Sequence, residues 1–312
     1  MNILFSSDEN YARHMGVAMV SIMQHNGDVE KIRFFVINNH ILSSTIEKLE
    51  SLVQGYKNVG IYFIPFESYE QRLHLNLAWP ISLSSYARLF VGEMLPNEVQ
   101  KVLYLDCDVV VCGSMSALWN TNLNGKCLGA IQDLVPSKTK ASVGLSPEAP
   151  YFNAGVLLID LLQWRQQGIG ISCLEFIADR DGCVTHHDQG VLNGVLKDQW
   201  ERLPLKYYVM TIHYMMKAAK MLSFYKDSSV FYSDEEIEDA KCNPIILHFT
   251  PSFTTHPWEH NCRHPLRRIY SDTLEMTPWK NSPLEKEKNP WYVKILNYYY
   301  RFSHSFDSLL KQ

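Results

Sequence analysis

The amino-acid sequence predicts an α/β protein with a mostly parallel, doubly wound sheet and helices on both faces. Short runs of β-branched and aromatic residues alternate with helical periodicity along the first hundred residues, as in βαβ units. The chain has 312 residues, enough for one large domain and a smaller appendage. Two predicted strands end in acidic clusters, and such sheets bind ligands beyond the carboxyl ends of their strands. We therefore expect the chemistry at that edge.

The predicted elements alternate in type along the N-terminal third of the chain. Strands are predicted at residues 2–5, 31–37, 59–64 and 101–105, and helices at residues 11–24, 43–52 and 84–93. Ser43 is assigned as the N-cap of the second helix, because a serine hydroxyl can accept a bond from a first-turn N–H. Apolar runs at residues 127–131, 155–159 and 245–249 predict further strands.

The character of the sequence changes beyond about residue 265. Pro278, Pro283 and Pro290 punctuate a charged stretch, and residues 291–312 are rich in aromatic residues with three basic ones among them. We expect residues 1–265 to form the main domain and residues 266–312 a C-terminal helical tail. Aromatic rings and basic side chains favour an anionic membrane surface, so the tail is a candidate membrane contact. An amphipathic helix folded onto the main domain is the equal alternative.

Composition argues against several classes of protein. The net charge of −4 gives no reason to expect a nucleic-acid partner. The first residues lack the basic segment of a signal peptide, and no run of about 18 apolar residues predicts a transmembrane helix. The seven cysteines show no CxxC spacing, which favours free thiols over disulfides or a zinc knuckle. We therefore expect a cytoplasmic protein.

The strongest local signal is the pair Asp106 and Asp108 after the strand at residues 101–105. Alternate carboxylates at a strand end can hold one hard divalent cation such as Mn²⁺ or Mg²⁺. A solvated acidic turn is the simpler alternative, since such triplets are common. The run YLDCDVVV also fits haloacid-dehalogenase phosphatases, with Asp106 as nucleophile and Asp108 as acid/base. That class needs a downstream acidic pair and a nucleophile near the chain start, and this sequence shows neither.

Three other motifs are weaker when each is taken alone. Asn153, Ala154 and Gly155 form a loop that opens an apolar strand, where small residues allow a ligand to approach the backbone. Asp188 in HDQGVLN is assigned as a helix N-cap. His248 ends the run ILH, and a lone histidine is more often structural than a ligand.

In their order along the chain, these motifs resemble glycosyltransferase family 8, the glycogenin-like family. The matching segments are DENY, SYARL, YLDCDVVV, FNAGVLLIDLLQW, HDQGVLN and the final HF and PW, which span residues 1–258. Bacterial lipopolysaccharide galactosyl- and glucosyltransferases are the members that the chain is most similar to. This joint pattern outweighs the phosphatase interpretation, which leaves most of the segments unexplained. The resemblance implies a GT-A fold, a nucleoside-diphosphate sugar donor and a catalytic domain at residues 1–265.

The resemblance also implies a role for each matching residue. The donor would be bound at its uracil and ribose end by Asp8 and Asn10, in its sugar and phosphate region by Arg88, under the sugar by Asn153, Ala154 and Gly155, and at its sugar hydroxyls by Asp188. The metal would be bound by Asp106, Asp108 and His248, with Cys107 between the carboxylates among the donor-binding residues. Gln189 matches the residue at the reactive face of the anomeric carbon.

These implied roles agree with the chemistry of sugar transfer. A Mn²⁺ or Mg²⁺ ion on the diphosphate stabilises the leaving group without a proton, and the sugar develops oxocarbenium character. The carbonyl of Gln189 can stabilise that charge, although an amide is a poor nucleophile. A covalent intermediate and a same-face substitution through a short-lived ion pair both remain open. In the second route, the leaving phosphate takes the proton of the acceptor.

The sequence departs from the family pattern after His248. Pro251 replaces the usual glycine, the loop is longer by about two residues, and His256 stands where lysine would precede Pro257 and Trp258. Lysine gives the diphosphate a permanent charge, whereas His256 gives one only when it is protonated. Diphosphate affinity or its pH dependence is therefore expected to differ from that of the family.

As a whole, the resemblance implies a retaining hexosyltransferase that moves galactose or glucose from UDP to a saccharide acceptor. We expect a lipid-linked glycan as acceptor, such as lipopolysaccharide, with contact at the inner membrane surface. A phosphatase and a non-catalytic sugar-nucleotide-binding module are the alternatives. The presence of the whole polar set argues against the module.

Overall fold

The computed structural model describes residues 1–76, 82–251 and 253–287. Within them, the strands are β1 (Asn2–Asp8), β2 (Ile32–Asn39), β3 (Val59–Pro65), β4 (Lys101–Leu105), β5 (Val109–Val111), β6 (Leu128–Asp133), β7 (Tyr151–Asp160), β8 (Trp200–Arg202), β9 (Val209–Met210) and β10 (Ile246–His248). The α-helices are α1 (Glu9–His25), α2 (Ser43–Val53), α3 (Glu67–Glu70), α4 (Val91–Met94), α5 (Ser116–Trp119), α6 (Ser137–Ser142), α7 (Leu161–Gln166), α8 (Ile169–Ala178), α9 (His187–Leu196), α10 (Ala218–Tyr225), α11 (Asp234–Cys242) and α12 (Arg267–Leu274).

The main sheet has the strand order β3-β2-β1-β4-β7-β6-β8. Its pairings are parallel except at β7, which runs antiparallel to both β4 and β6. A second, small sheet has the order β5-β10-β9. The predicted mostly parallel α/β class is therefore confirmed. Because β1 and β4 are parallel neighbours, Asp8 and Asp106 lie at the same edge, as the sequence predicted.

The main sheet is covered on both faces. Ile3 and Phe5 of β1 belong to a core shared with α1, whereas Leu4 between them packs into a second core with Tyr86 and Phe90. Successive side chains of a strand point to opposite faces, so a run of apolar residues fills both cores. This explains why β1 and β4 read as continuous apolar runs rather than as alternating ones.

Strand β7 contains a bulge at the motif of small residues. Ala130 of β6 lies opposite Leu157, but the next residue, Ile131, lies opposite Asn153. The residues of β7 between those two positions therefore have no counterpart on β6 and bulge out of the β6–β7 ladder. The predicted loop at residues 153–155 is wrong in this respect, because the segment is an irregular part of β7.

Three predicted helix starts also differ from the structure. The N-cap of α2 is Leu42 rather than Ser43, and Glu9 accepts bonds from the Leu42 N–H and the Thr45 hydroxyl there. The N-cap of α9 is His186, so Asp188 lies inside the first turn. The helix predicted at residues 84–93 is a 3₁₀ helix at Leu83–Phe90 followed by α4. Periodicity alone does not separate these two helical types.

The C-terminal part of the described chain packs against α1. Tyr270 of α12 is buried, and its hydroxyl lies 2.6 Å from Nδ1 of His14. Trp279 packs over Gly16, where an added Cβ would come within 2.7 Å of the indole. The predicted tail at residues 291–312 lies outside the described residues, and the boundary at residue 265 stays a prediction. The described part of the chain contains no helix long and apolar enough to cross a membrane.

Candidate active site

The carboxyl end of β4 brings together three of the predicted metal ligands. Asp106, Asp108 and His248 each offer one ligand atom, and these atoms all lie within 4.8 Å of one another. His248 reaches this position because β10 pairs antiparallel with β5, which places it opposite Val109. Two carboxylates and an imidazole at this spacing fit a single divalent cation.

His248 and Asp108 contact each other directly within this cluster. Nε2 of His248 lies 3.1 Å from Oδ1 of Asp108. Burial by itself would raise the pKa of Asp108, but His248 outweighs it and holds the pKa at about 2. Burial would likewise lower the pKa of His248, and Asp108 raises it above its usual value. Each side chain therefore favours the charged form of the other, and their contact keeps both in place.

Arg88 is a buried cation that links two parts of the site. Its guanidinium contacts Oδ1 of Asp106 at 3.0 Å and Oδ2 of Asp188 at 3.1 Å, and it also donates to the Ala154 carbonyl. The Tyr104 ring lies 4.0 Å from the guanidinium carbon. Burial alone would lower the pKa of Arg88, but these neighbours raise it above its ordinary value. Arg88 is therefore a fixed positive charge between two carboxylates.

Asp188 and Gln189 lie in the first turn of α9. Asp188 is buried, and that burial raises the pKa of its carboxyl despite the opposing effect of Arg88. The side-chain amide of Gln189 is fixed at both ends. Its Oε1 accepts a bond of 3.1 Å from the Ala154 N–H, and its Nε2 donates a bond of 3.0 Å to Asp133. The amide cannot flip without losing both bonds.

The sequence analysis missed Asp133, the last residue of β6. Its Oδ2 accepts bonds from Nδ2 of Asn153 at 2.9 Å and from Nε2 of Gln189 at 3.0 Å. Oδ1 of Asn153 in turn accepts a 2.8 Å bond from the Gly155 N–H. No local signal marks Asp133, because the polar Gln132 separates it from the apolar run at residues 127–131.

A pocket of about 290 Å³ opens between these elements. It is lined by Ser85, Arg88, Asp106, Ala154, Gly155, His186, His187, Asp188 and Gln189. The backbone φ angles of His186 and His187 are +62° and +55°, a conformation that non-glycine residues adopt at some energetic cost. This turn aims Asp188 and Gln189 into the pocket.

The predicted uridine-binding residues lie at the start of α1. Asp8 is the N-cap of this helix and accepts bonds from the N–H groups of Asn10 and Tyr11 at 3.0 and 3.2 Å. Its second oxygen accepts a 2.8 Å bond from the Ser82 hydroxyl. Asn10 is exposed. Asp8 thus has a structural role of its own, and donor binding by Asp8 and Asn10 stays a prediction.

The structure buries the side chain of Cys107 and does not bring His256 into the pocket lining. The Cys107 thiol donates to the Ser6 carbonyl at 3.2 Å, and burial raises its pKa. The His256 ring stacks on Trp258 at 4.4 Å, and Nδ1 lies 3.3 Å from the Glu259 carboxylate. Burial lowers the pKa of His256, although Asp108 opposes that effect. Diphosphate binding by His256 stays a prediction.

Comparisons with known proteins show which family the chain is similar to. The model of the family "Glycosyl transferase family 8" matches residues 2–262. General stress protein A of Bacillus subtilis is 28% identical over 89% of this chain and 94% of its own length. Lipopolysaccharide 1,2-glucosyltransferase of Escherichia coli is 28% identical over 97% of this chain and 85% of its own length.

A solved structure extends the likeness from sequence to fold. The galactosyltransferase LgtC, crystallised with donor and acceptor sugar analogues, superposes with a TM-score of 0.72 at 28% identity. The match covers 89% of this chain and 96% of that one, which confirms the predicted GT-A fold. The phosphatase and non-catalytic alternatives find no support in these comparisons. The chain belongs to glycosyltransferase family 8.

Proposed function

We propose that this glycosyltransferase is a metal-dependent, retaining hexosyltransferase that transfers galactose or glucose from a UDP-sugar to a saccharide acceptor. The observation that carries the proposal is the position of Asp106. This residue belongs both to the cluster with Asp108 and His248 and to the lining of the adjoining pocket. A cation site and a sugar-sized pocket that share a carboxylate suit a sugar joined to a diphosphate.

The acceptor in this proposal is a glycan or glycolipid, such as lipopolysaccharide or another surface polysaccharide. The supporting observation is the relative from Escherichia coli, which is named a lipopolysaccharide glucosyltransferase. An acceptor held in a membrane suits a cytoplasmic enzyme that contacts the inner membrane surface. The aromatic and basic residues 291–312 are the proposed contact.

The leaving group would be held at the end of β4. Asp106, Asp108 and His248 would bind Mn²⁺ or Mg²⁺, and the ion would neutralise the charge that develops on the departing diphosphate. His256 would supply a further contact to the diphosphate when it is protonated. Its ring is stacked on Trp258, which fixes its position at this edge of the fold.

The sugar would occupy the pocket between Arg88 and Asp188. A buried carboxylate such as Asp188 accepts hydrogen bonds from sugar hydroxyls and holds the ring in one orientation. Arg88 keeps that carboxylate in place through its 3.1 Å contact. The pocket lining also includes Gly155 and Ala154, and the small methyl side chain of Ala154 leaves room for the sugar near the backbone.

Gln189 would lie at the anomeric carbon and stabilise its developing positive charge. The amide oxygen already accepts a bond from Ala154, and the amide nitrogen is held by Asp133. Such fixed dipoles stabilise charge without reorganisation. An amide is also a poor nucleophile, which favours the electrostatic role, so same-face substitution is the route that we propose.

A donor screen tests the proposal. Purified protein is incubated with UDP-galactose, UDP-glucose and other nucleotide sugars plus an oligosaccharide acceptor, and UDP release and product are measured. Transfer should require Mn²⁺ or Mg²⁺, stop in EDTA and resume when the ion is restored. NMR of the product should show the anomeric configuration of the donor. Full activity in chelator, an inverted product, or hydrolysis of a chromogenic phosphate ester in place of transfer would contradict the proposal.

A further inference from the structure

Tyr208 is a fully buried residue whose hydroxyl has no hydrogen-bond partner within the described part of the chain. It immediately precedes β9, and its side chain has a relative exposure of 0%. Buried hydroxyls are almost always paired, because an unpaired one has lost its bonds to water without replacement. An unpaired buried hydroxyl such as this one therefore indicates a hydrogen-bond partner that is available only in another state of the protein.

The Tyr208 hydroxyl lies against the candidate metal cluster. A Cβ atom added to Gly155 would stand 1.9 Å from this hydroxyl and 2.5 Å from Oδ2 of Asp106, so both oxygens surround one point. The Tyr208 ring also packs against the His248 ring, with centroids 4.8 Å apart. The Tyr208 hydroxyl thus lies near Asp106 while its ring contacts His248, and glycine at position 155 makes room for it.

The two oxygens of Asp106 have different surroundings. Oδ1 accepts bonds from Arg88 at 3.0 Å and from the Tyr104 hydroxyl at 3.1 Å. Oδ2 faces Gly155 and the Tyr208 hydroxyl. The donors on Oδ1 fix one side of the carboxylate, whereas Oδ2 lies near the Tyr208 hydroxyl without a hydrogen bond between them.

We propose that Tyr208 is a positioning residue for the cation site, and that its hydroxyl donates a hydrogen bond to Oδ2 of Asp106 when a divalent cation is bound. In the cation-bound state, the hydrogen bond from the Tyr208 hydroxyl would hold the Asp106 carboxylate in one orientation. The Tyr208 ring would hold the His248 imidazole in place by packing against it. This inference rests on the proposed metal dependence. It adds a residue that neither the strand-end carboxylates nor the lone histidine motif indicated.

The test compares Tyr208→Phe with wild type by direct Mn²⁺ titration. Binding of Mn²⁺ alone is read from the loss of the free-ion electron paramagnetic resonance signal. Removing a hydrogen bond that orients a metal ligand weakens metal binding by about 10- to 100-fold. Because the variant also removes an unpaired buried hydroxyl, the Tm of the metal-free protein should rise by about 2 °C or more.

Tyr86→Phe is the matched control. Tyr86 is likewise fully buried with a hydroxyl that has no partner in the described structure, but its ring meets His187, which is not one of the three clustered residues. Tyr86→Phe should bind Mn²⁺ as wild type does. Equal Mn²⁺ affinity in Tyr208→Phe and wild type, or equal losses in both variants, would overturn the role of Tyr208. Failure of the wild type to bind Mn²⁺ would overturn the metal site itself, and the role of Tyr208 with it.

Discussion

Substitution of Lys140 by methionine tests how the segment after β6 is anchored. Nζ of Lys140 lies 2.6 Å from Oδ1 of Asp227, and both side chains are completely buried. Within the described part of the chain, the other partner of this ammonium is the Pro147 carbonyl at 3.1 Å. Asp227 also accepts a 3.0 Å bond from the N–H of Val135, two residues beyond Asp133. The buried pair therefore fixes the segment that carries Asp133.

The expected losses of stability follow from what each variant leaves unpaired. Removing one partner of a buried ion pair costs about 3–5 kcal/mol. Lys140→Met belongs at the lower end, about 3 kcal/mol, because Asp227 keeps its bonds from Val135 and from the N–H and hydroxyl of Ser229. Asp227→Asn belongs at the upper end, because it leaves a buried ammonium facing two neutral carbonyl groups. In the double variant no charge remains buried, and the single amide oxygen of Asn can accept one of the two backbone bonds, from Val135 or from Ser229.

Thermal and denaturant unfolding measure these differences. At about 2 °C per kcal/mol, the Tm should fall by about 6 °C in Lys140→Met and further in Asp227→Asn. The double variant should lose at least about 1 kcal/mol less than the two single losses combined, since contacting residues couple by 0.5–3 kcal/mol. Strict additivity, or a Lys140→Met loss under about 0.5 kcal/mol, would refute the anchoring role.

Three further predictions concern the proposed reaction. Gln189→Ala should lower turnover by about a hundredfold while the dissociation constant of the donor changes little, because the lost interaction grows in the transition state. Steady-state kinetics measure the turnover, and donor titration measures the dissociation constant. Equal losses in both would make Gln189 only a binding residue. Since burial lowers the pKa of His256, UDP binding should weaken as pH rises towards neutrality, and His256→Lys should flatten that decline; identical pH profiles in His256→Lys and His256→Ala would count against this role. Deletion after Pro290 should release the protein from anionic vesicles in sedimentation assays and spare transfer to a soluble acceptor, and loss of folding would instead make the tail part of the core.

Much of the fold could be predicted because its signals are local. The runs at residues 2–5 and 101–105 are strands, and their shared acidic edge follows from the parallel sheet that the βαβ rhythm implies. The direction of β7 could not be predicted, because an apolar run has the same composition in a parallel and an antiparallel strand. The N-cap of α2 was also missed, since a distant residue, Glu9, anchors that helix start.

Some residues of the candidate site could also be predicted from local sequence, and others could not. Asp106 and Asp108 were found because they stand together at a strand end, and His248 joins them only through the non-local pairing of β10 with β5. The family resemblance implied that His248 is a metal ligand, which hydrophobic periodicity could not indicate. Asp133 and Tyr208 were missed because their importance lies in contacts across the fold, with Gln189 for the first and Gly155 for the second.

Arg88 explains why the cation cluster and the sugar pocket should act as one unit. Its guanidinium is shared between Asp106, a member of the cluster, and Asp188, a residue of the pocket. A buried carboxylate needs a nearby positive charge to stay ionised, and one guanidinium with several fixed donors can serve two carboxylates at once. When a cation relieves Asp106 of part of its negative charge, Arg88 is left free to interact more strongly with Asp188. A change in the charge carried by Asp106 would therefore alter how strongly Arg88 holds Asp188, which couples the two parts of the site through a single buried charge.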